Sequence, residues 1–281
     1  MENVITQILV PLEPSECTRA SSLRAACIAK DIGGEVTGLT VVDVAGIEDE
    51  VALPLRADLR AYPNPRSVEL IQYSKKELEA VREEFESCCG EFSAPNHTLA
   101  LKGCPGARII GESRFHDLVV MGLKTNFHFA TEGDSNDTLE RVIDLLPTPL
   151  WLVPKKEIEP IEKVAIAYDG SLPATRALHH FLSLARLWDP EIRIFAADLK
   201  SGNGERLLSQ TKAFLAAHGI EKVTTQLRER PIEEVFDDSL LSWSDLIVAG
   251  ASSKSVLREF FVGSFMKKLI READCNLFVS S

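Results

Sequence analysis

Residues 7–15, Gln7-Ile8-Leu9-Val10-Pro11-Leu12-Glu13-Pro14-Ser15, and residues 163–171, Lys163-Val164-Ala165-Ile166-Ala167-Tyr168-Asp169-Gly170-Ser171, follow one pattern: a short apolar run, an acid, a turn residue and a serine. They lie 156 positions apart. Each is followed by a small-residue helical stretch, 18–31 and 174–188, and then by an apolar run, 35–43 and 191–199, at the same spacing. Further along, 116–122 matches 244–250 at a spacing of 128, and 141–153 matches 268–280 at 127. Five blocks repeated in one order mark a duplication. The copies are read as domains 1–154 and 161–281, joined by the polar, proline-flanked linker 154–160.

Within each copy, apolar β-branched runs alternate with longer amphipathic ones. ILVPL (8–12), VTGLTVV (36–42), NHTLALK (96–102), DLVVMG (117–122) and LWLV (150–153) read as strands buried on both faces. The segments between them, such as 68–89, carry helical spacing of apolar and charged positions. Strand–helix alternation predicts an α/β fold: two tandem, doubly wound, Rossmann-like parallel sheets with helices on both faces. The drop in spacing from 156 to 128 gives the first copy about 28 extra residues. Pro54, Pro63 and Pro65 place them in a loop within 44–67, before the helix at 68–89.

The 281 residues carry 31 Lys and Arg against 42 Asp and Glu, a formal charge of −11. That surplus argues against nucleic acid or an anionic membrane as partner, since both are polyanions. No basic cluster leads into an apolar segment near residue 1, and no apolar run approaches the ~20 residues that span a bilayer, so a cytoplasmic protein is expected. The six cysteines form no CxxC pair and are expected to be free thiols.

In parallel α/β sheets, ligands bind beyond the carboxyl ends of the strands. Asp169 ends the first strand of the second copy, where a carboxylate can accept from a ribose hydroxyl or an adenine amino group; equally, it can serve only to cap the following helix. The fourth strand ends at Gly250, and Gly263-Ser264 opens a helix whose first N–H groups have no intrahelical partners and suit phosphate oxygens. Ser253 and Ser264 add hydroxyl donors. The plainer reading is a loop with a glycine turn and a serine cap.

This stretch resembles the universal stress protein family, whose ATP-binding members carry Gly, two residues, Gly, nine residues, Gly, then Ser or Thr. Here the positions read Gly250, Ser253, Gly263 and Ser264. Ser253 departs from the pattern and brings a Cβ that crowds phosphates or forbids positive φ. The resemblance implies the family's five-stranded parallel sheet, pairing through its last strand. In a tandem chain, Leu150 to Val153 and Leu277 to Ser280 would supply that pairing internally, as a pseudo-dimer, with a homodimer as the alternative. It also implies ATP or a related adenine nucleotide, with or without Mg, in the second domain only. The expected contacts are Tyr168, Asp169, Ala197, Gly250, Ser253, Gly263 and Ser264.

The first copy replaces Asp169 by Glu13, Gly170 by Pro14, Ser253 by Thr125 and Gly263-Ser264 by Asn136-Asp137, with Glu132 and Asp134 nearby. Aligning Gly133-Asp134 instead still supplies an acid. Carboxylates a few Å from phosphate cost on the order of 1–4 kcal/mol, so no triphosphate is expected there. The chain has no P-loop lysine, no nucleophile elbow and no metal quartet. His179 and His180 read as surface and interface residues of a helix rather than acid/base groups. A binding module that senses or regulates is therefore expected, with protein partners unspecified. The competing readings are a ligand-free scaffold and a slow adenine-nucleotide hydrolase.

Overall fold

A computed structural model of the chain describes residues 5–51, 64–131, 137–156, 159–197, 203–251 and 263–281. They form two compact units, residues 6–142 and residues 143–281, the second also taking Ile5. The N-terminal unit runs β1 (Gln7–Leu12), α1 (Glu16–Ile32), β2 (Glu35–Val42), α2 (Val44–Glu50), α3 (Pro65–Phe92), β3 (Asn96–Lys102), α4 (Pro105–Ser113), β4 (Leu118–Gly122) and the start of α5 (Asp137–Leu145). Its strands are parallel, in the order β3-β2-β1-β4. This is the doubly wound α/β arrangement expected from the alternating runs.

The C-terminal unit begins with β5 (Leu150–Val153) and continues β6 (Lys163–Ala167), α6 (Leu172–Trp188), β7 (Glu191–Ala197), α7 (Gly204–Ala217) and β8 (Val223–Arg228). Then follow α8 (Ile232–Val235), α9 (Asp238–Trp243), β9 (Leu246–Gly250), α10 (Ser264–Glu272) and β10 (Asn276–Ser280). Five parallel strands take the order β8-β7-β6-β9-β10. The last strand of the first copy, β5, adds to β10 in antiparallel register, Leu277 against Leu152, Phe278 against Trp151 and Val279 against Leu150. Trp151 and Phe278 are equivalents in the repeat, so this pairing is locally two-fold, and it is the last-strand pairing the resemblance implies. Trp151 is fully buried; its indole N–H donates to Asn276 Oδ1 at 2.9 Å, and its ring meets Phe278 and Trp188 edge-on.

Three local readings change. β3 is half-exposed or exposed along its length rather than buried on both faces, because β2 alone flanks it and a sheet edge tolerates Asn96, His97 and Lys102. The extra residues of the first copy are partly helical. Asp43 caps α2 by accepting from Gly46 N at 3.0 Å, and α3 starts at Pro65, not 68, because Asn64 accepts from Arg66 N. A proline taken as loop punctuation occupies the first helical turn, where its missing N–H costs nothing. The rest of that insertion, 52–63, with Pro54 and Pro63, lies outside the described residues. Cys88 and Cys89 are fully buried near the end of α3, which pushes their thiols up to about 11 and about 12, as burial does Cys275 to about 12. No helix among the described residues is long and apolar enough to cross a membrane.

Candidate functional site

A cleft of about 370 Å³ opens at the carboxyl end of the C-terminal sheet, within the range of small-molecule sites. The ends of β6, β7 and β9 and the starts of α8 and α10 form its walls. Tyr168, Asp169, Ala197, Gly250, Gly263 and Ser264 all line it. Ser253 lies outside the described residues.

The turn after β6 explains how Asp169 is presented. Gly170 has φ +75°, a left-handed conformation that side chains resist. It leaves Asp169 exposed, with Oδ1 accepting from Ser171 N at 2.9 Å, while Ser171 Oγ accepts from Ala174 N at 3.4 Å to cap α6. The carboxylate thus has a local capping duty at one oxygen, and Oδ2 makes no bond among the described residues. Tyr168 is buried beside it, its backbone N–H on Phe195 O and its hydroxyl 3.3 Å from Thr175 Oγ1.

Gly250 has a different reason from the one its position suggests. A Cβ there would stand 2.4 Å from Ala174 N and 2.7 Å from Pro173 C, both backbone atoms. The close approach it permits is that of the first turn of α6.

At the far side, Gly263 precedes α10 with extended φ and ψ of −59° and 157° and supplies no side-chain cap. The first amides of α10 therefore face the cleft without a capping side chain of their own. Ser264 Oγ donates to Glu233 Oε1 at 2.7 Å, and Lys268 Nζ donates to Glu233 O at 2.5 Å. Glu233, with Pro231 and Ile232, comes from the α8 end of the third strand, and Phe265 and Met266 complete the wall. Pro231, Ile232 and Glu233 follow the third strand of the copy, not the first or fourth, after which the sequence places the site. The carboxyl end of β8, followed by Pro231, carried the signal.

The corresponding turn of the N-terminal unit is built differently. Pro14 stands where Gly170 takes its left-handed turn, a conformation proline cannot adopt. Glu13 points inward instead: it is 1% exposed, accepts from Asn126 N at 3.2 Å through Oε2, and bonds Ser15 Oγ through Oε1. Thr18 Oγ1 donates to its backbone oxygen at 2.5 Å. Burial raises the Glu13 carboxyl above its ordinary value, although the hydrogen bonds oppose this.

In the same unit, Asp43 Oδ2 lies 2.6 Å from His128 Nδ1, and His128 Nε2 lies 3.0 Å from Thr138 Oγ1. This carboxylate–imidazole–hydroxyl chain ties the start of α2, the loop after β4 and the first turn of α5. With Thr138 only 3% exposed, it acts as a brace rather than a presented nucleophile. Glu132, Gly133, Asp134, Asn136 and the Asp137 side chain lie outside the described residues. His179 and His180 of α6 pack on neighbours: His179 against the Phe214 ring, and half-buried His180 3.0 Å from Ser280 Oγ, with burial lowering its pKa.

A parallel sheet ordered 3-2-1-4-5, a cleft at its carboxyl edge and pairing through the last strand define a class of Rossmann-like α/β proteins. The universal stress protein family model matches residues 160–280, the second copy. A universal stress protein of Methanocaldococcus jannaschii is 31% identical over 137 residues, which cover 42% of this chain and 81% of that protein. Another, from Synechocystis sp., is 20% identical over 288 residues, covering 94% of this chain and 96% of its own. Among solved structures, a universal stress protein from Archaeoglobus fulgidus matches with a TM-score of 0.73 at 18% identity, over 98% of this chain and 96% of that one. The chain belongs to the universal stress protein family.

Proposed function

We propose that the C-terminal unit binds ATP or a related adenine nucleotide, and that the protein acts as a stress-linked sensor or regulator rather than through rapid turnover. The observation that carries this reading is the cleft, which Tyr168, Asp169, Ala197, Gly250, Gly263 and Ser264 all line. Adenine and ribose fit the small apolar wall of Ala167, Ala197, Ile232 and Ala249, with Asp169 Oδ2 as acceptor for an amino or hydroxyl group. Phosphates fit the amides of Ser264, Phe265 and Met266, where a helix N-terminus favours negative charge. Tyr168, Gly250 and Gly263 shape the cleft, and Ser253 is proposed as a further contact. The working location is proposed to be the cytoplasm. Mg is expected only as a companion of the phosphates.

The test is a thermal melt of the full chain with and without millimolar ATP and Mg. A ligand that binds only the native state raises the midpoint, by about 2.7 kcal/mol of stability at a hundredfold excess over Kd. An unchanged midpoint would favour the ligand-free scaffold, for which the Ser264–Glu233 hydrogen bond is the supporting observation.

A further inference from the structure

Glu233 stands at the mouth of α10. It lines the cleft next to Gly263 and Ser264, takes the Ser264 hydroxyl proton on Oε1 at 2.7 Å, and holds Lys268 Nζ on its backbone oxygen at 2.5 Å. The carboxylate therefore already engages the first side-chain donor of the helix, one that an incoming anion would use. The N-terminal unit also turns a carboxylate onto a donor, but of another kind: Glu13 Oε2 accepts from the backbone amide of Asn126, in the loop after β4. The difference lies in how each is held. Glu13 is buried at the end of a central strand, whereas Glu233 is half-buried on α8, a helix of four residues.

We infer that Glu233 is the specificity-determining residue of the C-terminal cleft: it holds the Ser264 hydroxyl and sets a carboxylate at the mouth of α10, so that without a divalent cation the site selects adenosine or a monophosphate over a triphosphate. This rests on the nucleotide reading of the cleft. Each added phosphate gains donors from α10 but also brings negative charge toward Glu233, and like charges at such range oppose each other strongly where water is partly excluded. Ser264 is then shared between two anions.

The test is calorimetric titration of the full chain with adenosine, AMP, ADP and ATP in EDTA, repeated on Glu233→Gln. The amide keeps an acceptor for Ser264 and removes the charge. In the unsubstituted protein ATP should bind no tighter than AMP. In Glu233→Gln, ATP affinity should rise by about tenfold or more, the scale of one relieved charge contact, while adenosine changes by less than about twofold. ATP binding tenfold tighter than adenosine in the unsubstituted protein would overturn the inference, as would an ATP-to-adenosine ratio unmoved by the substitution. If Glu233→Gln fails to fold, the ordering in the unsubstituted protein decides alone. If no adenine compound binds either protein, the nucleotide reading itself fails and the inference falls with it.

Discussion

Gly122 and Gly250 end equivalent strands, and each lies against the helix that follows the first strand of its copy. Yet Gly250 lines an open cleft, while the first strand of the other copy leads into a buried glutamate. A Cβ on Gly122 would lie 2.4 Å from Cys17 Cβ, and one on Gly250 would lie 2.4 Å from Ala174 N. The shared glycine therefore reports on packing and says nothing about a ligand. Asp117 and Asp245 teach the same lesson: each takes the two backbone N–H groups that open the first strand of its copy, Thr6 and Gln7 in one, Glu162 and Lys163 in the other. What separates the copies is the turn after the first strand, where Gly170 permits a positive φ and Pro14 forbids it.

The largest effect should come from the strand pair the copies share. Trp151→Ala removes a fully buried ring and strands Asn276 Oδ1, and should cost about 3–5 kcal/mol by denaturant melting. A small loss would mean that β5 contributes little to the C-terminal unit. Next, Gly122→Ala and Gly250→Ala should each cost about 1–3 kcal/mol, since both overpack a fixed neighbour. If only one of them destabilises, the common packing role fails.

Gly263→Asp should sharpen the contrast by splitting two readouts. An aspartate at this cap position should leave stability unchanged or raise it by up to about 1 kcal/mol. Nucleotide affinity should meanwhile fall about tenfold or more, because the carboxylate takes the helix mouth; unchanged affinity would place the ligand elsewhere.

Glu13→Gln should give the smallest effect, visible as a pH dependence. The carboxyl is raised from its ordinary 4.5 by burial, so in the window above 4.5 the folded state binds more protons than the unfolded one. That contribution to stability is whole below 4.5 and is lost as pH rises through the raised value. The glutamine variant should gain on the unsubstituted protein across this window and hold a constant difference above it. Urea midpoints between pH 4 and pH 8 that run parallel for the two proteins would contradict the assignment.

The fold was legible because strands buried on both faces write continuous apolar runs, and the duplication wrote them twice. β3 was misjudged because NHTLALK is apolar only at its centre and the run does not reveal that a strand sits at an edge. α2 and the start of α3 were hidden by turn residues that also cap helices: Asp43 with Gly46, and Asn64 with Pro65. Of the candidate site, the residues on β6, β9 and α10 could be found by their place at strand and helix ends. Glu233 could not be found that way, since its role comes from a short helix folded back over α10. The inward turn of Glu13 was equally out of reach, although Pro14 was in plain view, because the partner amide of Asn126 lies 113 positions away.

We propose an asymmetry between the copies: the C-terminal one takes an anionic nucleotide tail, and the N-terminal one, with Glu13 buried where Asp169 is exposed, takes none. Calorimetric titration of the full chain with ATP and Mg measures it directly through stoichiometry. The expected result is one nucleotide per chain, with binding abolished or severely weakened by Gly263→Asp and untouched by Glu13→Gln. Two nucleotides per chain, none, or one that survives Gly263→Asp would contradict it.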